Sequence, residues 1–111
     1  MSVYLFRANF TPQALTAMVK NPQDRPAVFS KLLEKFNGKL HSFYYAFGDS
    51  DVVVTFELPD ESRALTTILA VAAAGHLTNL RTTQLFTNTE AMEAMREAGG
   101  MIVSAPGQPS A

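Results

Sequence analysis

The chain lacks cysteine, which excludes disulfides, thiolate metal sites and a cysteine nucleophile. It has no excess of positive charge either, because nine Lys and Arg stand against ten Asp and Glu. The chain therefore has no basic excess to neutralise a run of phosphates, and nucleic acid is not an expected partner. The longest apolar run, residues 68–74, is far shorter than the roughly 20 residues of a membrane span. The N-terminus lacks the basic and long apolar segments of a signal peptide, so a cytoplasmic location is predicted.

The sequence also lacks the residue spacings that hold common cofactors. His41 and His76 are far apart, and neither has a second ligand at metal-binding spacing. The only Gly-Gly pair follows a predicted helix, whereas a phosphate-binding loop precedes one. No serine has the sequence context of a catalytic triad. We therefore predict no metal site and no cofactor.

What the chain does have is enough apolar residues for one core. Its 111 residues are 47% hydrophobic, a composition typical of a single soluble domain. We place this domain at residues 1–100. The remaining residues, 101–111, are rich in Pro, Gly, Ser and Ala towards the end and are expected to form a mobile tail.

The most informative stretch is a predicted β-hairpin between Lys39 and Leu58. Two runs of β-branched and aromatic residues flank the sequence Gly48-Asp49-Ser50-Asp51. Glycine tolerates positive φ, and Asp and Ser side chains bond to nearby backbone amides, so this sequence favours a four-residue turn.

The remaining elements are predicted from periodicity and capping residues. Strands are expected at Val3–Phe10 and Leu77–Phe86, and a helical unit at Thr11–Asn37, bent or broken near residues 21–25 with Gly38 just beyond its end. A third helix should run from Asp60 to Gly75 and bury Leu65, Ile68, Leu69 and Ala72. A short C-terminal helix should start at a Thr87 capping box. This order predicts an α+β, ferredoxin-like βαββαβ sandwich: a four-stranded antiparallel sheet with helices on one face.

Two helices can cover only one face of such a sheet. Val52, Val54, Phe56 and Leu58 alternate with more polar residues, so we expect them to meet the helices. The other face, called the open face below, is mixed; it carries Val3, Leu5, Arg7, Asn9, Val53, Thr55 and Glu57. A four-residue turn would add Ser42 and Tyr44 to it, whereas a one-residue bulge would exchange Tyr44 for Tyr45. Because this face is too apolar to leave in water, we expect two protomers to pack their open faces together.

The stretch FYYAFGDSDVVV, together with YLFRANFTPQAL before it and LRTTQLFT after it, resembles the GYD family of small bacterial proteins, named for a Gly-Tyr-Asp motif. Gly48 and Asp51 match the motif, but Ser50 stands where the family has Tyr. The family is similar to the dimeric α+β barrel group, which includes cofactor-free monooxygenases, muconolactone isomerase and the effector domain of leucine-responsive regulators. The resemblance implies a face-to-face dimer of this fold and supports the fold more than any activity.

Seven residues are candidates for binding a small ligand, such as a carboxylate or an aromatic compound, between the sheet faces. Asp51 could act as a general base or bond to turn amides, and Arg7 and Glu57 could pair with each other or anchor a ligand. The full set is Arg7, Asn9, Tyr44, Tyr45, Asp51, Glu57 and Arg81. The first interpretation is an oligomeric small-molecule binding module. The alternative is a cofactor-independent enzyme of the barrel group, with Asp51, a tyrosine or His41 transferring protons.

Overall fold

The computed structural model describes residues 1–108 and has the ferredoxin-like fold predicted from the sequence. Neighbouring strands are antiparallel, and the sheet order is β2-β3-β1-β4. The strands are β1 (Ser2–Phe10), β2 (Lys39–Tyr45), β3 (Val52–Leu58) and β4 (Leu77–Leu85). The helices are α1 (Pro12–Lys20), α2 (Arg25–Glu34), α3 (Glu61–Ala73) and α4 (Asn88–Gly99).

Each helix begins at a side chain that accepts a backbone N–H of its first turn. Thr11, Asp24 and Asp60 do so for α1, α2 and α3, respectively. At α4 the cap is reciprocal: the Thr87 hydroxyl accepts the Glu90 N–H, and the Glu90 carboxylate accepts the Thr87 N–H. These local bonds explain why the helix starts could be predicted from short stretches of sequence.

The expected helical unit at residues 11–37 is two helices, α1 and α2. The break falls at Asn21, whose φ of −140° is not helical, as expected for a residue before proline. At the end of α2 the left-handed residue is Asn37, with φ of 58°, and not Gly38. Gly38 is needed for a different reason: a Cβ there would lie 2.6 Å from Leu58 Cδ2 and 2.7 Å from the Glu57 carbonyl oxygen. The glycine therefore lets the chain pass close to β3.

The core lies between one face of the sheet and the helices α2 and α3. Tyr4, Phe6 and Ala8 of β1 are buried there, and so are Leu33 of α2 and Ala64 of α3. Every second residue of β3 is also buried in this core: Val52, Val54, Phe56 and Leu58. The alternation predicted for the two central strands is therefore confirmed, and no helix of residues 1–108 covers the opposite face.

The buried stripe predicted for α3 is partly wrong. Leu65 and Leu69 are 60% and 58% exposed, whereas Ala64 and Thr67 are buried. The Thr67 hydroxyl donates to the Arg63 carbonyl at 2.9 Å, so burying this polar group leaves no donor unsatisfied. Ile68, which was predicted to be buried, and Val71 are partly buried against the core beside Ala64 and Thr67, whereas Leu65 and Leu69 lie on the outside.

The hairpin has a longer loop than the four residues predicted. Tyr45 lies opposite Val52 and Tyr44 opposite Val53, so the loop spans residues 46–51. The Ala46 N–H donates to the Asp51 carbonyl at 2.8 Å and closes it. Gly48 does not have positive φ, in contrast to the expectation, and a Cβ added there would meet nothing within 4 Å. The register differs by two residues from the predicted one, which leaves every side chain of the strand end on its expected face.

The C-terminal helix α4 has no buried residue in the described chain. Met92 and Met95, the two methionines of this helix, are both exposed. The predicted tail, 101–111, extends past residue 108, so residues 109–111 lie outside the described part. Among residues 1–108 no helix is both long and apolar enough to cross a membrane.

Candidate functional site

One row of side chains crosses the open face of the sheet from edge to edge. The strand registers place Tyr44 opposite Val53, Val53 opposite Arg7, and Arg7 opposite Arg81. Because directly opposed residues of antiparallel strands point to the same face, all four side chains lie on the open face. Tyr44 is 68% exposed. The structure thus settles which of the two tyrosines lies on this face, and it brings two arginines together.

The two arginines have few partners of their own. Arg81 Nη2 donates to the Ser50 hydroxyl at 2.6 Å. The Nε atoms of Arg7 and Arg81 are both buried without a hydrogen-bond partner. Within residues 1–108, neither guanidinium has a carboxylate oxygen within 4 Å. The positive charge of this pair is therefore uncompensated within the described residues. Because like charges directly opposite each other destabilise a sheet, the pair is expected to cost stability.

Asp51 and Asn9, the next candidates, are engaged in holding the hairpin loop against β1. Asp51 Oδ2 accepts the Phe10 backbone N–H at 2.9 Å, and the Asp51 N–H donates to the Ala8 carbonyl at 2.9 Å. Asn9 donates from its side chain to the Asp49 carbonyl at 3.3 Å. These bonds place the loop residue Ser50 within reach of Arg81, so Asp51 and Asn9 act here as supports.

Tyr45 and Glu57 lie apart from the arginine pair. Tyr45 is on the helix-covered face, where its ring contacts Phe10 at a centroid distance of 6.2 Å and Phe43 at 5.6 Å. Glu57 lies opposite Val3, four residues along β1 from Arg7, which is about 13 Å at the rise of a strand. Its Oε1 is 3.1 Å from His41 Nε2.

The suggested pairing of Arg7 with Glu57 is therefore wrong. The antiparallel register of β1 and β3 places Arg7 opposite Val53 and Glu57 opposite Val3. His41 reaches Glu57 because a bulge between Leu40 and Ser42 inserts one extra residue into β2.

Two residues of this site were not among the sequence candidates. Ser50 is 6% exposed and bonds to Arg81, and the sequence signal for it was its place in the hairpin motif, where the family has Tyr. Asn79 adopts φ of 54° where the β1–β4 register shifts, and its side chain donates to Asn9 Oδ1 at 3.1 Å. A left-handed Asn inside a strand depends on the partner strand, so periodicity alone does not reveal it.

The rest of the open face is a mixed surface around the arginine pair. Val3, Leu5 and Val53 are partly exposed there. The hydroxyls of Ser42 and Thr55 lie 2.5 Å apart and satisfy each other. Among residues 1–108 no group of three or more His, Asp or Glu side chains could hold a metal ion. The distinctive chemistry of this face is thus two guanidinium groups among apolar and polar side chains.

Together, the fold and this face define a small ferredoxin-like α+β protein whose helix-free sheet surface carries an unneutralised arginine pair. The chain belongs to the GYD domain family, whose domain matches residues 4–95. No curated protein and no solved structure matches the chain.

Proposed function

We propose that this protein is a homodimeric binding module that holds a small carboxylate between the open faces of two protomers. The observation that carries the proposal is the facing pair Arg7 and Arg81, whose Nε atoms are buried without partners. Arginine recognises carboxylates through paired, charge-assisted N–H donors, and within residues 1–108 no carboxylate is paired with either arginine. A bound anion between the two guanidinium groups would convert a repulsive arrangement into an attractive one.

The dimer follows from the apolar part of the same face. Val3, Leu5, Tyr44 and Val53 are all at least partly exposed, and in the described part of the chain no helix covers that side of the sheet. Packing two such faces around a twofold axis would bury them, and a standard interface takes about 800 Å² from each partner. Since sheets twist, two opposed faces do not touch everywhere, and a cleft remains for a ligand.

We favour binding over catalysis because of what the acidic candidate does. A general base must be placed to reach the ligand, and Asp51 Oδ2 instead accepts the Phe10 N–H. His41 and Glu57 are paired at the other end of the sheet, about 13 Å from the Arg7 row. Within residues 1–108, no carboxylate oxygen lies within 4 Å of either guanidinium group.

Binding is tested by titrating small carboxylic acids in a thermal-shift screen and following each hit by calorimetry. A ligand at 100 times its dissociation constant should stabilise the protein by about 2.7 kcal/mol. Arg7→Met should remove the binding of each hit, whereas Lys20→Met, which removes a positive charge from the exposed end of α1, should not. Retained binding in the Arg7→Met variant would refute this site.

The dimer is tested separately by sedimentation. The double variant Leu5→Glu/Val53→Glu should dissociate, because it places two carboxylates in the proposed interface. Leu69→Glu is the matched control, since Leu69 is an exposed leucine on the outside of α3. A wild-type protein that is monomeric at micromolar concentration would rule out the assembly.

A further inference from the structure

A second candidate site lies on the helix-covered side of the sheet, between α2 and α3. A cavity of about 670 Å³ opens between α2 and α3 and reaches down to the sheet. Its size falls within the range of about 300–1,000 Å³ typical of small-molecule sites. Its floor is apolar and is formed by Phe6, Phe43, Val52 and Val54.

The cavity exists because the side of α3 that faces it carries small residues. Ala70, Val71 and Ala74 line this wall, while the leucines of α3 lie on the outside of the helix. The opposite wall is formed by larger residues of α2, among them Phe29 and Leu32. A bulky residue at either alanine would fill part of the space. With alanine there, the apolar lining residues Phe43, Val71 and Leu77 stay partly exposed.

The charges around the cavity are of one sign. Arg25, Lys31, Lys35 and His76 line it. No Asp or Glu is found among the lining residues in the described part of the chain. The whole chain, in contrast, has a net charge of −1. Within residues 1–108, none of the three cations has a carboxylate oxygen within 4 Å. Lys31 and Lys35 are also one helical turn apart, a like-charge spacing that weakens a helix slightly.

From this combination we infer that the cavity binds an amphipathic monocarboxylate. The hydrocarbon body lies on the apolar floor, and the carboxylate is held at the cationic rim by Arg25, Lys31 and Lys35. The body supplies affinity through burial of apolar surface, and the rim selects the sign of the head group. This site is separate from the open face and does not depend on the function proposed for it.

The other acidic and apolar group available to the cavity is α4 of a second copy, which carries Met92, Met95 and three glutamates. Its size argues against it. A helix of 12 residues is about 18 Å long and about 10 Å wide, so it takes up roughly 1,400 Å³, about twice the volume of the cavity. A flexible small molecule can reach the sheet between α2 and α3, whereas a helix could only lie across the opening.

The test is calorimetric titration of the full chain with hexanoate, octanoate and decanoate. We expect affinity to rise by about fourfold for each added methylene until the cavity is full. Decanol and decylamine should bind at least tenfold more weakly than decanoate, and added salt should weaken decanoate binding because it screens the rim. Equal binding of all three head groups, or no dependence on chain length, would overturn the inference.

Two pairs of variants locate the binding. Ala70→Phe should reduce decanoate affinity at least tenfold by filling the cavity, whereas Ala73→Phe, an exposed position of the same helix outside the lining, should not. Lys31→Glu should weaken binding by about fivefold or more, whereas Lys20→Glu should leave it unchanged. Lys31 is exposed, so this pair remains decisive if Ala70→Phe does not fold. Equal losses within either pair would place the binding elsewhere.

Discussion

Replacing Arg7 by methionine should leave the protein as stable as the wild type or make it more stable. The Arg7 side chain makes no hydrogen bond or ion pair within residues 1–108, its Nε is buried without a partner, and Arg81 lies directly opposite. Methionine keeps an apolar stem of similar length and removes the charge. Opposed like charges on paired strands cost about 0.2–1 kcal/mol, and an unpaired buried donor costs about 1–3 kcal/mol. We therefore expect the free energy of unfolding to rise by about 1 kcal/mol.

Arg81→Met provides the contrast, because the two arginines differ in one bond. Arg81 donates to the Ser50 hydroxyl at 2.6 Å, and Ser50 is buried. Losing a hydrogen bond to a charged group costs about 1.5–3 kcal/mol, which exceeds the gain of about 1 kcal/mol expected from removing the charge and the unpaired Nε, as in Arg7→Met. The Arg81→Met variant should therefore be about 1 kcal/mol less stable than the wild type.

Both variants are measured by urea unfolding without added ligand, at low salt and at 1 M salt. At 1 M the screening length is about 3 Å, so the part of the Arg7→Met effect that comes from repulsion should shrink. A loss of roughly 3–5 kcal/mol in Arg7→Met would refute the reasoning, because that is the signature of a broken buried ion pair. It would mean that the guanidinium has a carboxylate partner in the assembled protein.

Further substitutions test the loop, the close contact and the last helix. Gly48→Val should change the urea midpoint little, since its φ is not positive and its Cβ would meet nothing; a loss above about 1 kcal/mol would contradict this. Gly38→Ala should cost about 1–3 kcal/mol in the same assay, because its Cβ would press on the β3 backbone, and an unchanged midpoint would show that β3 can move away. Asp51→Ala should also lose about 1–3 kcal/mol by leaving the Phe10 N–H unpaired, and full stability would mean that water replaces the bond. The pKa of Glu90 lies below its ordinary 4.5, mainly because the carboxylate accepts the Thr87 backbone N–H and, to a smaller extent, because of a hydrogen bond with the Thr87 side chain. The capping box is therefore complete above pH 4.5 and weakens as the pH falls through the lowered pKa. Circular dichroism should show helix loss in that acid range in the wild type and a smaller pH dependence in Glu90→Gln, and identical titrations would contradict it.

The sequence by itself determined the features that depend on near neighbours. Helix starts at Thr11, Asp24 and Asp60 could be predicted because a cap bonds to an amide three residues away. The inward and outward faces of β1 and β3 could be predicted because alternation along a strand is a property of the strand alone. The α+β class and the existence of a helix-free face follow from the same local patterns.

Only the tertiary structure decided which residues of different strands meet. Arg7 faces Arg81 because the β1–β4 register is set across 74 positions of chain, and the Asn79 irregularity in that register has no periodic signal. Glu57 pairs with His41 and not with Arg7 because the strands are antiparallel and β2 carries a bulge. The cavity between α2 and α3 likewise depends on how α3 is rotated about its axis. Because α3 carries apolar residues on more than one side, packing against the sheet, and not periodicity, selected the side that is buried.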